Sequence, residues 1–381
     1  MSEKPLVYID DLVLNFYTYE GVVQALDKVK FFVKEGETLG VVGETGCGKS
    51  MTAFSVLRLV PPPGKIEGGK IFLRKDGKWL DILRQREGYL RRIRGNDISM
   101  IFQDPRSALN PVYTVKDQIG EAIKLHRREE ICAKIIENYG EGKIKLSNFE
   151  RKMLEKMKKN PRALSVRFTS KMPLLRGFKK KFDAEVEREV VKLLRDMRIP
   201  DPERVAEMYP HELSGGMAQR VVIAIALSCS PKILIADEPT TNLDVTVQLQ
   251  ILTLIRELKE KYNATVHYIT HDMGVIAELC DRVVVMYAGN VVEMADVMEI
   301  FKNPLHPYTK ALLECIPRPG REFKSIEGFV PSLINPPQGC RFNDRCPFRM
   351  DICLKEKPDF VKVKEGHFVF CHLYSGSGGS K

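Results

Sequence analysis

The sequence predicts an α/β fold built on a parallel sheet, and three stretches carry that prediction. Thr38-Leu39-Gly40-Val41-Val42 is a short apolar strand that passes through a glycine-rich turn into a helix opening at Lys49-Ser50-Met51-Thr52. Lys232-Ile233-Leu234-Ile235-Ala236 is an apolar run ending on Asp237-Glu238, and Thr265-Val266-His267-Tyr268-Ile269 ends on Thr270-His271-Asp272. Apolar runs without alternation fit strands buried on both faces, and polar residues at their carboxyl ends fit the edge where open α/β sheets place ligands.

Taken in order, the chain starts with period-two patterns at Leu6-Val7-Tyr8-Ile9 and Val29-Lys30-Phe31-Phe32-Val33, which predict antiparallel strands ahead of the turn. Between them Phe16, Tyr17 and Tyr19 form an aromatic-rich turn. One of these rings is a candidate to stack on a planar base, with ordinary cross-strand packing as the alternative.

Gly43-Glu44-Thr45-Gly46-Cys47-Gly48-Lys49-Ser50 fits G-x-x-x-x-G-K-[ST] without a mismatch. Gly46 and Gly48 let successive N–H groups converge on phosphate oxygens, and the helix that follows aims its unpaired donors at the same anion. Lys49 is placed to reach the β- and γ-phosphates and the Ser50 hydroxyl to ligate Mg²⁺. The stretch predicts binding of a nucleoside triphosphate.

Strands return at Gly68-Gly69-Lys70-Ile71-Phe72-Leu73 and Ile98-Ser99-Met100-Ile101-Phe102, the latter ending on Gln103, a candidate ligand for Mg²⁺ and water. From about 116 to 201 the pattern turns helical and polar. His211-Glu212-Leu213-Ser214-Gly215-Gly216-Met217 then leads into a long apolar helix, and Ser214 with the two glycines makes a second helix start suited to an anion. At the end of the 232–238 run, Asp237 is the candidate to hold Mg²⁺ through water and Glu238 to polarise an attacking water. Asn242-Leu243-Asp244 opens the next turn, and His271, at the same sheet edge, is a candidate γ-phosphate contact.

Composition narrows the function classes. The chain has 381 residues, 44% of them hydrophobic and 29% charged, enough for two or more well-buried domains. No apolar run approaches the ~20 residues of a membrane helix, and the N-terminus lacks a signal-peptide pattern, so a cytosolic location is expected. The net charge of +10 is local: residues 127–181 hold 17 Lys/Arg against 6 Asp/Glu. Such a stretch can bind nucleic acid or an anionic membrane surface, or be a solvated helical face. An inserted helical hairpin or mobile loop is expected there.

The order of these pieces resembles the ATP-binding subunit of an ABC transporter over roughly residues 5–320, with Leu213-Ser214-Gly215-Gly216-Met217-Ala218-Gln219 similar to its signature motif. More narrowly, several stretches resemble the ATP-binding subunits of dipeptide/oligopeptide importers. They include Phe102-Gln103-Asp104-Pro105-Arg106-Ser107-Ala108-Leu109-Asn110-Pro111, Tyr209–Leu213, Ile235–Thr241, Val285–Gly289, Asn303-Pro304-Leu305-His306-Pro307-Tyr308-Thr309 and the C-terminal run from Pro331 to Gly339-Cys340-Arg341-Phe342-Asn343-Asp344-Arg345-Cys346-Pro347.

The resemblance implies a phosphate-loop NTPase (RecA-like) core with an N-terminal antiparallel β subdomain, an inserted α-helical subdomain and a small cysteine-rich C-terminal extension. The implied boundaries are an ATPase domain over 1–295 with the helical subdomain at about 105–232; the basic insertion at about 127–184 departs from the family's usual compact helical subdomain. An importer-type extension over 296–374 and a flexible tail over 375–381 follow. It places Phe16 at the adenine-stacking position, Tyr17 and Tyr19 remaining alternatives. It implies that Ser214, Gly215 and Gly216 contact ATP held by the phosphate loop of a second ATP-binding subunit, a heterodimer partner. Two transmembrane permease subunits, an extracytoplasmic substrate-binding protein and a place on the cytoplasmic membrane face are also implied. The transported solute is a peptide by default, with an oligosaccharide or nickel complex as alternatives. A soluble ABC ATPase acting on RNA is the rival reading, disfavoured because it predicts a second cassette or a long coiled coil, and no nucleic acid is expected.

Cys340, Cys346, Cys353 and Cys371 supply four sulfurs without Cys-x₂-Cys pairs. Their irregular spacing and the Cys346-Pro347 step favour an iron–sulfur cluster over Zn²⁺ or free thiols. Some peptide-importer ATP-binding subunits carry a [4Fe–4S] cluster at matching cysteines, so the resemblance points the same way.

Overall fold

The computed structural model describes residues 5–142, 144–160, 169, 172, 177–241, 243–317 and 325–375. Asn242, most of the tail over 375–381 and the middle of the basic insertion lie outside the described residues. Among the described residues twelve strands run along the chain, beginning with β1 (Pro5–Thr18), β2 (Gly21–Lys34), β3 (Thr38–Val42), β4 (Gly64–Lys75), β5 (Lys78–Asp81) and β6 (Ile98–Ile101). They continue as β7 (Ile233–Asp237), β8 (Thr265–Thr270), β9 (Arg282–Tyr287), β10 (Asn290–Asp296), β11 (Phe360–Lys364) and β12 (His367–Phe370). The chain forms two compact units, the first taking residues up to 91, 232–238 and those from 255 onward, the second 92–231 and 239–254.

In the first unit an antiparallel sheet is ordered β2-β1-β4-β5. Its alternating residues bury Ile9, Leu12, Leu14, Leu26 and Ile71 completely, as a half-buried sheet requires. A second sheet runs β11-β12-β10-β9-β3-β8-β7 within this unit. Here β7, β8, β3 and β9 are parallel, while β9–β10, β10–β12 and β11–β12 are antiparallel. Every residue of β3, β7, β8 and β9 is buried, the pattern expected of parallel strands covered on both faces. The register sets Val42 beside Thr270 and Val285, and Ile269 beside Asp237. The carboxyl ends of four strands therefore meet at one edge, and Lys49, Ser50, Asp237, Glu238 and His271 lie there.

The second unit is mainly helical. Val115–His126 starts on a capping box of Thr114 and Asp117, and Asn148–Lys159 on one of Ser147 and Glu150, each satisfying N–H groups that a helix start leaves open. The helices Arg128–Gly140, Asn148–Lys159 and Gly177–Asp196 bury Ile131, Cys132, Ile135, Met153, Leu154, Met157, Phe178, Phe182, Val190 and Leu194. Among the described residues the basic stretch is thus built of amphipathic helices. Some of its charge is paired: Lys134 lies 2.8 Å from Glu185 and 2.6 Å from Glu189, and Lys181 lies 2.6 Å from Glu150. No helix among the described residues is long and apolar enough to cross a membrane.

Candidate functional site

Two glycines shape the turn after β3. Gly46 and Gly48 sit at φ 81° and 98°, the left-handed region that L side chains rarely adopt. Gly43 is required for another reason, since a Cβ there would lie 2.1 Å from the Met286 carbonyl oxygen. Gly48 is the N-cap of the helix Lys49–Leu57, offers no side-chain cap, and the first turn holds no acidic residue. The leading N–H groups of this helix have no acceptor within it and give the turn its affinity for an anion.

Lys49 is 5% exposed, and its ammonium donates to the Gly43 carbonyl at 2.8 Å and the Glu44 carbonyl at 3.2 Å. It lies 3.9 Å from Glu238 Oε1. The Ser50 hydroxyl donates to Asp237 Oδ1 at 2.9 Å. Thr45 and Gly46 are exposed at the tip and Met51 is half-buried. Cys47 is buried, and burial raises its thiol pKa, marking it as packing rather than a reactive thiol. Thr52 caps back onto the Lys49 carbonyl at 2.6 Å.

Asp237 and Glu238 differ in environment although adjacent. Asp237 ends β7 at 3% exposure. Burial pushes its carboxyl up to about 6, with the Ser50 hydroxyl lowering it, Glu238 raising it and Lys49 lowering it. Glu238 keeps one more sheet hydrogen bond, its N–H donating to Ile269 O at 2.9 Å, then turns out at φ 44°. A left-handed glutamate costs roughly 1 kcal/mol and persists where surroundings hold it. That turn sets its carboxylate 3.3 Å from His271 Nδ1. The helix after His271 is capped by Asp272, which accepts from the Gly274 and Val275 N–H groups.

The Asp237 shift has a defined sign. A carboxyl with its ordinary value of 3.8 raised to about 6 by folding adds stability that is fully present below 3.8. That contribution is lost as pH rises through 6. Asp237→Asn does not titrate. Compared with it in chemical unfolding without nucleotide or metal, the parent is expected to lose stability steadily from about pH 4 to about pH 7. A constant difference across that range would contradict the burial of this carboxyl.

The oxygen donors at Ser50 and Asp237 suit a hard cation such as Mg²⁺. Gln103 follows β6 in the second unit and is exposed. Ser214, in the same unit, is the N-cap of Gly215–Leu227 and accepts from the Met217 N–H at 3.3 Å. Gly215 and Gly216 are half-exposed, and the first turn of this helix is free of acids. Phe16 is half-buried in β1, where it faces Gly64 and Val23, and a Cβ on Gly64 would come within 2.8 Å of its ring. The Tyr17 hydroxyl donates to Glu67 at 2.8 Å, and Tyr19 is fully exposed at the hairpin tip.

The structure corrects the expectation of a metal at the four cysteines. Among the described residues no group of three or more His, Cys, Asp or Glu side chains stands together to hold a metal ion. Neither a [4Fe–4S] cluster nor Zn²⁺ at Cys340, Cys346, Cys353 and Cys371 is supported. All four are free of disulfides. Burial pushes Cys340 up to about 12 and Cys371 up to about 11.

Sequence reasoning missed a group behind the turn. The Tyr308 hydroxyl accepts from the Glu44 N–H at 3.0 Å, and Arg345 donates to the Glu44 carboxylate at 2.9 Å. Arg345 also donates to the Tyr287 hydroxyl and to the carbonyls of Glu327 and Ile326. Arg345 and Tyr308 both fall in stretches that resembled peptide-importer subunits, which was the one available signal.

Residues 26–241 match the family model described as "ABC transporter", and residues 292–353 match "Oligopeptide/dipeptide transporter, C-terminal region". The probable peptide ABC transporter ATP-binding protein y4tR of Sinorhizobium fredii is 43% identical, covering 96% of this chain and 94% of that protein. The dipeptide transport ATP-binding protein DppD of Bacillus subtilis is 42% identical over 97% of this chain and 95% of its own length. The oligopeptide transport ATP-binding protein OppD of Salmonella typhimurium is 40% identical over 93% and 89%. In fold, the chain is similar to the dimeric ATP-binding cassette MJ0796 bound to ADP and Pi, with TM-score 0.55 at 22% identity over 76% of this chain and 98% of that one. It is also similar to cbiO1 of Clostridium perfringens, with TM-score 0.52 at 24% identity over 79% and 92%.

Proposed function

We propose how this chain, which belongs to the ABC transporter family as an ATP-binding subunit of its peptide-import branch, uses the site described above. It is an ATPase whose hydrolysis energises peptide import, and the single observation that carries the site reading is the Lys49, Ser50, Asp237 and Glu238 arrangement at one sheet edge. ATP is the substrate. Its phosphates take the N–H groups of Thr45, Gly46, Gly48, Lys49, Ser50 and Met51, while Cys47 and Thr52, whose N–H groups donate to the Glu44 and Gly48 carbonyls, line the same turn. The Lys49 ammonium exchanges the Gly43 and Glu44 carbonyls for β- and γ-phosphate oxygens. Ser50 and Asp237 would hold Mg²⁺, which would neutralise developing phosphate charge. Glu238 takes the proton of the attacking water, and His271, 3.3 Å from it, steadies the γ-phosphate. Phe16 stacks on the adenine.

Two chains complete each other in this reading. Ser214, Gly215 and Gly216 serve ATP held by a second ATP-binding subunit, a heterodimer partner, across a head-to-tail interface. The helical subdomain at about 105–232, with Gln103, passes closure and reopening to two permease subunits. An extracytoplasmic binding protein delivers the peptide, and the chain works on the cytoplasmic face of the membrane. The region over 296–374 is the importer-type extension.

Ser214→Arg tests the composite site. A bulky cation at that cap leaves the chain's own phosphate loop intact, so its ATP affinity is expected to stay within about twofold while transporter turnover falls at least tenfold. Nucleotide titration and steady-state hydrolysis of the assembled transporter separate the two. Turnover equal to the parent would remove Ser214 from the reaction.

A further inference from the structure

We infer that the C-terminal region is part of the nucleotide site, with Arg345 and Tyr308 as positioning residues that set the phosphate loop through Glu44. The inference rests on the reading of residues 43–52 as the ATP site and goes beyond it, because no role in nucleotide binding attaches to this region otherwise.

The geometry is a clamp on the second residue of the loop. Glu44 follows Gly43 directly, and its two polar handles are both held from the C-terminal side. Its N–H donates to the Tyr308 hydroxyl at 3.0 Å, and its carboxylate accepts from Arg345 at 2.9 Å. Arg345 cannot drift, since its side chain is 5% exposed. Three further donors go to the Ile326 and Glu327 carbonyls and the Tyr287 hydroxyl. Tyr308 is completely buried and tilted against the Tyr287 ring at 4.7 Å, with Phe342 packed on both.

A second tie runs from the same region to the strand behind the loop helix. Arg341 donates to the carbonyls of Gln24 and Ala288 and lies 3.2 Å from Asp27. Ala25, between Gln24 and Leu26, is the residue whose carbonyl a Cβ on Gly48 would meet at 2.9 Å. The Gly289 N–H closes the frame on the Cys47 carbonyl at 2.9 Å. Both ends of the glycine turn are therefore braced by side chains or backbone that the C-terminal region holds in place.

A preset loop binds phosphate without first being ordered, so loosening the brace weakens ATP binding while leaving Glu238 and its chemistry untouched. Three full-length chains, the parent, Arg345→Gln and Arg345→Lys, are titrated with MgATP well below their unfolding temperatures, with Lys49→Ala alongside. Arg345→Gln is expected to raise Kd about tenfold, and Arg345→Lys, which keeps one charged contact to Glu44, to return it to within about threefold of the parent. In the assembled transporter the same variants raise KM for ATP and keep kcat within about twofold. Tyr308→Phe, the removal of one oxygen, gives a second reading, with Kd raised about threefold.

A merely structural role would lower the unfolding temperature and the active fraction with Kd unchanged, and parent-like Kd in both Arg345→Gln and Tyr308→Phe overturns the inference. If Lys49→Ala still binds ATP as the parent does, the nucleotide-site reading itself fails and the inference fails with it.

Discussion

Glu238→Gln is expected to bind MgATP within about threefold of the parent affinity while turnover falls by about a hundred- to ten-thousandfold. Glutamine keeps the length and the hydrogen-bonding shape of the side chain but accepts no proton from water. The two groups beside it, His271 Nδ1 at 3.3 Å and Lys49 Nζ at 3.9 Å, remain to hold nucleotide. The left-handed backbone at φ 44° is a property of the turn, and glutamine tolerates it as glutamate does. With binding preserved and hydrolysis stopped, the ATP-bound pair of subunits should accumulate, visible as a nucleotide-dependent rise in mass by sedimentation. Hydrolysis at the parent rate would move the general base to another residue.

Lys49→Ala acts at the opposite end of the cycle. Its ammonium is buried, and its contacts are the two loop carbonyls that phosphate oxygens replace. Each charge-assisted hydrogen bond is worth about 1.5–3 kcal/mol, so losing two predicts a Kd at least about a hundredfold weaker. Titration calorimetry of the full chain reads this directly. Parent-like affinity would mean that the glycine turn binds no nucleotide, whatever its pattern.

The parts of this site that were legible in the sequence are those where one short stretch contains both the backbone requirement and the chemistry. The 43–50 turn carries its own glycines, lysine and serine, and β7 announces itself as an apolar run stopped by two acids. Ser214 was legible as a cap because capping is local. The Glu44 clamp was not. Its partners lie 264 and 301 residues away in sequence, and no periodicity connects a tyrosine, an arginine and a glutamate at such separations. The cysteines failed in the other direction. Four of them close in sequence invited a metal, yet no group of His, Cys, Asp or Glu side chains stands together to hold one among the described residues. The β11–β12 hairpin beside them was also missed, since its first strand is short and largely exposed. In the basic stretch, charge hid the apolar faces of the helices, which appear once Ile131, Leu154 and Phe178 are seen buried.

Hydrolysis at Glu238 is proposed to power peptide uptake. The direct test is accumulation of a labelled peptide in vesicles carrying the whole transporter, with MgATP on the face where this chain sits, comparing the parent with Glu238→Gln. Uptake that requires ATP in the parent and disappears in the variant is the predicted result. Uptake that proceeds without ATP, or equally well with Glu238→Gln, would contradict it.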